Sequence, residues 1–374
     1  MDFKLFRMKF NKIKLLLSLQ IFFFFYNVKK QPARRVVLKF WKFSRGIGID
    51  LGTANTILYV QGRGIVLNQP SVVAVQNSTG KVVAVGSEAR SMLGRVPLNI
   101  TVYRPLRDGV IADFERAEAM IQYFVKKVKQ EVKSLFFSSP NIVVCVPHGA
   151  TPVERRAIHD AALTSGARAV FLVEESMAAA IGANLPVMEP TGCMVVDIGG
   201  GTTEVAVISL GGVVCSVSVR CGGDRMDETI VDYFRKSHNL LVGENSAERL
   251  KCSLINEDSA SQKLKITGRE MTTGRPKEIL ASREEILESL LEPMSLIVET
   301  VQRSLEKTPP ELAGDIVDRG IVLTGGGAML ARLCSQIEER TGVKTTIAES
   351  PLLCVAMGTG KYLERLHEFT QMAS

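Results

Sequence analysis

One pattern occurs twice in this chain and constrains what it can fold into. Gly48-Ile49-Asp50-Leu51-Gly52-Thr53-Ala54-Asn55-Thr56-Ile57-Leu58-Tyr59-Val60 is echoed 147 positions later by Val195-Val196-Asp197-Ile198-Gly199-Gly200-Gly201-Thr202-Thr203-Glu204-Val205-Ala206-Val207. Each copy runs apolar strand, Asp, apolar residue, Gly, three small or polar residues, Thr, and a second strand. A hairpin with so small a turn packs nothing by itself. Two copies predict a duplicated domain facing itself across a cleft, and 374 residues suffice for two domains or one large composite.

Turns made of Gly and small hydroxyl residues expose backbone N–H groups and let a polyphosphate approach closely. Thr53, Ala54 and Asn55 form one such cradle after Gly52, and Gly199, Gly200, Gly201 and Thr202 form the other. Asp50 and Asp197 each end a buried strand and aim at the same point. Two carboxylates facing phosphates require a cation between them, which predicts Mg²⁺ held by those two residues through water. If both aspartates merely capped turns, their symmetry would be unexplained. A third Gly-rich site, Gly325, Gly326, Gly327, Ala328 and Met329, follows the apolar strand Ile321-Val322-Leu323-Thr324. It suits close approach by an adenosine or its phosphates. Neither a G-x-x-x-x-G-K-[ST] loop nor a G-x-G-x-x-G strand–helix junction is present.

The charge is unevenly placed. The formal net charge is +7, yet residues 1–45 hold 12 Lys/Arg and one acid, leaving the other 329 residues at −4. The same leader takes nine of the 16 Phe and the only Trp, Trp41. The basic pI therefore does not describe the body, and no nucleic-acid partner is expected. The leader's apolar run, Leu15 to Tyr26, is shorter than the roughly 20 residues of a spanning helix, and no small-residue cleavage site follows it. It is either a peripheral membrane anchor, with Phe and Leu in the interface and Lys/Arg on anionic lipid, or sequence upstream of the true start. Seven Cys without paired spacing read as reduced core residues of a cytosolic protein, and four scattered His argue against zinc.

From Arg45 onward, short β-branched runs (47–51, 56–60, 82–85, 142–146, 169–173, 193–198, 204–209, 213–219, 319–323) alternate with helical stretches (114–133, 152–164, 174–184, 225–238, 282–306, 328–340, 353–369). That alternation predicts an α/β architecture. The segment Ser134-Leu135-Phe136-Phe137-Ser138-Ser139-Pro140 joins a helix to a strand and puts three large apolar residues in a loop. They either tuck against the core or form an exposed apolar tip.

Asp50–Thr56, Asp197–Glu204 and Leu323–Ala328 together resemble the actin, sugar-kinase and heat-shock-chaperone ATPase superfamily. Ser91–Arg95, Arg104–Phe114, Val153–Ala157, Glu174–Ala183 and Gly222–Asp224 are similar to one branch of it, the MreB bacterial actin homologues, over about Gly46 to Leu366. The resemblance implies an actin-like duplicated ATPase fold of two lobes and four subdomains around a nucleotide cleft. The leader is 1–45. Lobe I is expected at 46–190 (small subdomain about 77–112), lobe II at 191–349 (small subdomain about 224–289), and a C-terminal helix at 350–374 returning to lobe I. It implies ATP hydrolysis with Mg²⁺, self-assembly into filaments, a position at the inner face of the cell membrane, and control of cell shape or division through wall-synthesis proteins.

Residue by residue, Glu175 falls on the superfamily's water-activating position and Thr202 on a water-positioning threonine. Glu248, Arg249, Leu250 and Lys251 resemble the family's helix beside ribose and base, and Leu135, Phe136 and Phe137 its membrane-contacting loop. Taken alone, Glu175 would be a first-turn acid favouring the helix dipole. Ser176 departs from the family's usual Pro, with a modest effect on rigidity expected. The alternative within the superfamily is a small-molecule kinase, for which no distinctive acceptor motif is visible. A chaperone ATPase would need a substrate domain after the cleft, and Ser374 comes too soon for one.

Overall fold

The structure, a computed structural model, describes residues 46–132, 139–255 and 263–372, with side chains to residue 369. The leader 1–45 and the apolar residues Leu135, Phe136 and Phe137 lie outside the described residues. Residues from Gly46 onward form one compact unit.

The first half opens with an antiparallel meander, β1 (Ile47–Leu51), β2 (Asn55–Val60) and β3 (Gly64–Pro70). A small sheet follows, β4 (Val73–Gln76), β5 (Val82–Val85) and β6 (Ile100–Tyr103), with the short helix α1 (Ser87–Ser91). The two-residue strands β7 (Leu106–Arg107) and β8 (Val110–Ile111) lead to helix α2 (Phe114–Val132), strand β9 (Asn141–Val146), helix α3 (Pro152–Thr164), strand β10 (Ala169–Glu174) and helix α4 (Glu175–Gly182). The large sheet has the order β10-β9-β1-β2-β3.

The second half repeats the plan. Its meander is β11 (Cys193–Ile198), β12 (Thr203–Ser209) and β13 (Gly212–Val219), followed by α5 (Gly223–His238), β14 (Leu240–Leu241), α6 (Glu244–Ser253), β15 (Leu264–Glu270), β16 (Pro276–Ala281), α7 (Arg283–Ser289), α8 (Leu291–Glu306), α9 (Pro310–Arg319), β17 (Ile321–Thr324), α10 (Leu333–Thr341), β18 (Thr345–Ile347), α11 (Cys354–Glu364) and α12 (Leu366–Met372). The large sheet reads β13-β12-β11-β17-β18. In each, a meander's first strand pairs in parallel with the first of two crossover strands. The registers also coincide: Leu51 faces Thr56 and Asp50 faces Ile57 in one hairpin, Ile198 faces Thr203 and Asp197 faces Glu204 in the other.

Both faces of each large sheet are covered, so the central strands are mostly apolar, with Asp50, Asp197 and Glu204 as buried charged exceptions. On β9, Ile142, Val144 and Val146 enter the core under α2 and α3, while Val143 and Cys145 face the other lobe. On β12, Val205 and Val207 join the second lobe's core and Ala206 and Ile208 face the first. Helices α4 and α11 lie between the sheets, and residues of both halves close around them. Their crossing is tight because Gly182 meets the backbone of Cys354 and Gly358 meets that of Ala178.

The single helix expected over 282–306 is two. Leu290, at φ −97° and ψ 0°, ends α7, and Pro293 sits in the first turn of α8, where its missing N–H costs nothing but would break a continuing helix. The stretch 328–340 is a 3-10 turn, Gly326–Met329, then α10 beginning after Arg332 at φ +69°. The stretch 353–369 is interrupted at Arg365. All seven Cys are free; four are buried, but Cys252 is exposed. Among the described residues, no helix is long and apolar enough to cross a membrane.

Candidate active site

The two Gly-rich turns meet. A Cβ on Gly200 would contact Ala54, and one on Gly201 would contact Thr53 Oγ1 and the Asp108 backbone. The second turn is fixed from behind. Gly199 N–H donates to Thr202 O at 2.9 Å, and the helix-start amides of Gly223 and Asp224 donate to the carbonyls of Gly199 and Gly200 at 3.0 and 2.7 Å. These bonds use the turn's carbonyl oxygens, which orients its amides the other way. Thr53 Oγ1 accepts from Gly109 N–H at 3.4 Å, and Gly109, at φ +73°, leaves room for the methyl of Thr202.

A cavity of about 400 Å³ lies between the turns. Its walls include Asp50, Thr53, Ala54, Asn55, Glu175, Asp197, Gly199, Gly200, Gly201, Thr202, Glu248, Lys251, Gly325, Gly326, Gly327 and Met329. Three expected residues are absent from the lining. Ala328 and Leu250 are buried in the second lobe's core, and Arg249 is exposed, bonding Ser246 Oγ at 3.2 Å. The reason is helical period: on α6 the positions facing the cavity are Glu248, Lys251 and Cys252, with Ile255 just beyond the helix, an i, i+3, i+4, i+7 stripe that turns 249 and 250 away.

The chemistry concentrates in four carboxylates. Asp50, Asp197 and Glu204 are buried, and Glu175 opens α4 at the cavity wall. Burial and then Asp197 push the Asp50 carboxyl up to about 8. Burial lifts Asp197 to about 6 against the hydrogen bond from Thr324, whose hydroxyl donates to Asp197 Oδ1 at 2.7 Å. Burial raises Glu204 to about 7, opposed by the backbone N–H of His148. Glu175 is raised well above the usual range by burial and then by Glu204, Asp197 and Asp50. No Lys or Arg forms an ion pair with any of the four among the described residues.

Such a cluster favours an external cation. Among the described residues no three His, Cys, Asp or Glu are grouped to hold a metal. Two aspartates without a full protein cage fit Mg²⁺, which keeps several waters and takes the rest of its shell from phosphates.

Sequence reasoning missed several neighbours. Thr324 and Glu204 support the carboxylates, and Arg90 pairs with Glu248. Arg104 reaches Asp224 Oδ1 and Glu244 Oε2, each at 3.3 Å. These pairs join α1 and the residue after β6 in the first lobe to α5 and α6 of the second. They are partly exposed, so each contributes at most about 1 kcal/mol, which suits a mouth that opens. Ser176 is fully buried with its hydroxyl unpartnered, a local cost where the related motif has Pro.

Comparison with known proteins agrees with this architecture. The family model described as MreB/Mbl protein matches residues 44–371. The chain belongs to the MreB/Mbl family. Cell shape-determining protein MreB of Escherichia coli K12 is 54% identical over 330 residues, covering 87% of this chain and 94% of that protein. Cell shape-determining protein Mbl of Bacillus cereus is 50% identical over 333 residues, covering 88% and 99%. The crystal structure of MreB5 of Spiroplasma citri bound to AMPPNP superimposes with a TM-score of 0.82 at 36% identity, covering 88% of this chain and 99% of that one. The chain is thus an actin-like member of a family whose named relatives are cell shape-determining proteins.

Proposed function

We propose that this MreB/Mbl-family protein binds ATP with Mg²⁺ in the cleft between its lobes, hydrolyses it, and couples that cycle to assembly into filaments that organise wall synthesis at the membrane. The observation that carries the reading is the convergence of two register-matched phosphate turns and their two aspartates on one cavity. The MreB5 relative is a nucleotide-bound protein in its crystal structure, and family membership favours a filament protein over a small-molecule kinase.

The chain's own groups divide the work. Amides of 53–55 and 200–202 hold phosphate oxygens, and the α6 face with Glu248 and Lys251 lies against the nucleoside side, beside Gly325 and Gly326. Asp50 and Asp197 would hold Mg²⁺ through water, and the ion would supply charge neutralisation for the phosphates. Glu175 and Thr202 orient the attacking water, since phosphoryl transfer to water needs placement and electrostatics more than covalent help. The leader 1–45 and Leu135, Phe136 and Phe137 would supply membrane contact, two signals where stable peripheral binding needs two. Light scattering and sedimentation of the purified full chain, with ATP, with ADP and without nucleotide, test the coupling. ATP-dependent pelleting is expected, and pelleting indifferent to nucleotide or absent throughout would refute it.

A further inference from the structure

The short hairpin β7–β8 rests on both phosphate turns. Leu106 faces Ile111 and Arg107 faces Val110, so Asp108 and Gly109 form its turn. Both have positive φ, +50° and +73°, the geometry of a tight hairpin turn that favours an Asp-Gly pair. Strands this short hold their place poorly alone, and contacts at both ends fix these. At the base, the amides of Ala112 and Asp113 donate to Pro105 O at 2.9 and 3.2 Å, and Arg104 pairs across the cleft with Asp224 and Glu244. At the tip, Gly109 N–H donates to Thr53 Oγ1 at 3.4 Å. The Asp108 backbone lies so close to the second turn that a Cβ on Gly201 would stand 2.9 Å from it.

The side chain that the tip meets in the second turn is Thr202. A Cβ on Gly109 would stand 2.6 Å from the Thr202 methyl and 3.3 Å from its hydroxyl, so the methyl fills the space that a side chain at 109 would take. The φ of Gly109 alone does not demand glycine, since Asp108 beside it adopts +50°; the methyl does. Hydrogen bonds do not fix Thr202. The hydroxyl of its neighbour Thr203 donates to Cys221 O at 2.7 Å, and that of Thr56, the counterpart of Thr203 in the first hairpin, lies 2.9 Å from Ser71 Oγ. Thr202 Oγ1 has no hydrogen-bond partner among the described residues. Packing therefore sets its χ1, and a β-branched side chain has few wells to choose from. The methyl against Gly109 selects one well and leaves the hydroxyl unbonded at the wall of the cavity, which Thr202 and Gly109 both line.

We propose that Gly109 is a positioning residue for hydrolysis: from the first lobe it seats the methyl of Thr202, on the second, and so holds the Thr202 hydroxyl in the rotamer that meets the attacking water. The role rests on the hydrolytic reading given above and adds no chemical step to it.

The test is a double-mutant cycle in the full chain with Mg²⁺, using Gly109→Ala, Thr202→Ser and both together. ATP affinity is read with a fluorescent analogue, and phosphate release is measured at saturating ATP. Thr202→Ser keeps the hydroxyl and deletes the seated methyl. The hydroxyl then spreads over three staggered wells, and turnover should fall about threefold with ATP affinity kept. Gly109→Ala pushes the methyl off its seat, and turnover should fall at least about tenfold, more than affinity does. In the Gly109→Ala background, Thr202→Ser should instead raise turnover, because the atom that the new Cβ strikes is gone. The backbone strain of alanine at φ +73° is the same in the single and double variants, so a merely structural defect gives no such reversal. Thr202→Ser at wild-type turnover, or a double variant no faster than Gly109→Ala, overturns the role. Should Gly109→Ala fail to fold, Thr202→Ser alone decides: reduced turnover with affinity kept upholds the seat, and wild-type turnover overturns it. A wild type that binds ATP and releases no phosphate overturns the hydrolytic reading and this role together; an active wild type without the reversal overturns this role alone.

Discussion

Gly358→Ala tests whether the helix pair between the sheets sets the position of Glu175. The helix Cys354–Glu364 crosses Glu175–Gly182 so closely that a Cβ on Gly358 would fall inside the carbonyl group of Ala178, whereas real Cβ atoms essentially never come closer than 3.0 Å to such atoms. Backbone atoms cannot swing aside as a side chain does, so the helices must part by about 1 Å, and a misplacement of that size costs about 100-fold in rate. The overpacking itself costs about 1–3 kcal/mol, or several degrees in melting temperature for a domain this large. Gly314→Ala provides the control. Gly314 is helical, with open space where its Cβ would stand, and alanine there should stabilise by about 1 kcal/mol. Thermal melts and phosphate release are measured on both. Wild-type stability and turnover in Gly358→Ala would refute the idea that this crossing places Glu175.

Three further outcomes follow from the same geometry. Ser176→Ala removes a buried hydroxyl without a partner and should stabilise the protein by about 1 kcal/mol; a lower melting temperature contradicts the burial argument. Thr324→Val removes the 2.7 Å hydrogen bond to Asp197 Oδ1 and should weaken Mg²⁺-dependent nucleotide binding about tenfold, the scale of a hydrogen bond to a charged group; unchanged Mg²⁺ dependence in a titration contradicts it. In metal-free, nucleotide-free protein, the folded state keeps protons on Asp50, Glu204 and Asp197 up to about 8, 7 and 6, well above the usual carboxylate range of about 4. The folded state then binds more protons than the unfolded one, so stability falls as pH rises from about 4 to about 8 and levels off above. Asp50→Asn should flatten that slope and raise the melting temperature at pH near 8; an unchanged slope contradicts the linkage.

The repeated hairpin makes the duplication, the cleft, both turns and both aspartates legible in the sequence, because strand alternation and Gly-rich turns are local signals. The hairpin Leu264–Glu270 and Pro276–Ala281 was not legible. Leu264 and Ile266 alternate with Lys265 and Thr267, but the apolar side of that alternation ends at Gly268, and Pro276–Ala281 opens with three exposed residues, so the signal is too short to mark a hairpin. Pro293 marks the break before Leu291–Glu306, but the apolar periodicity continues across it and masks it. In the site, the motif containing Glu248 and Lys251, which line the cavity, also includes Arg249 and Leu250, which helical phase turns away from it. Thr324 and the cross-lobe pairs of Arg90 and Arg104 join residues far apart in sequence, and only the folded chain brings them together. Glu204 carried a signal after all, as the one charge at a position its own repeat fills with isoleucine.

The most direct test of the central claim is Glu175→Ala in the full chain, with ATP binding and phosphate release measured on the same preparation. Retained binding with phosphate release reduced about 100-fold or more is the expected result for a water-orienting carboxylate at a site whose turns and aspartates are intact. Phosphate release at the wild-type rate would contradict the assignment of this cleft's chemistry.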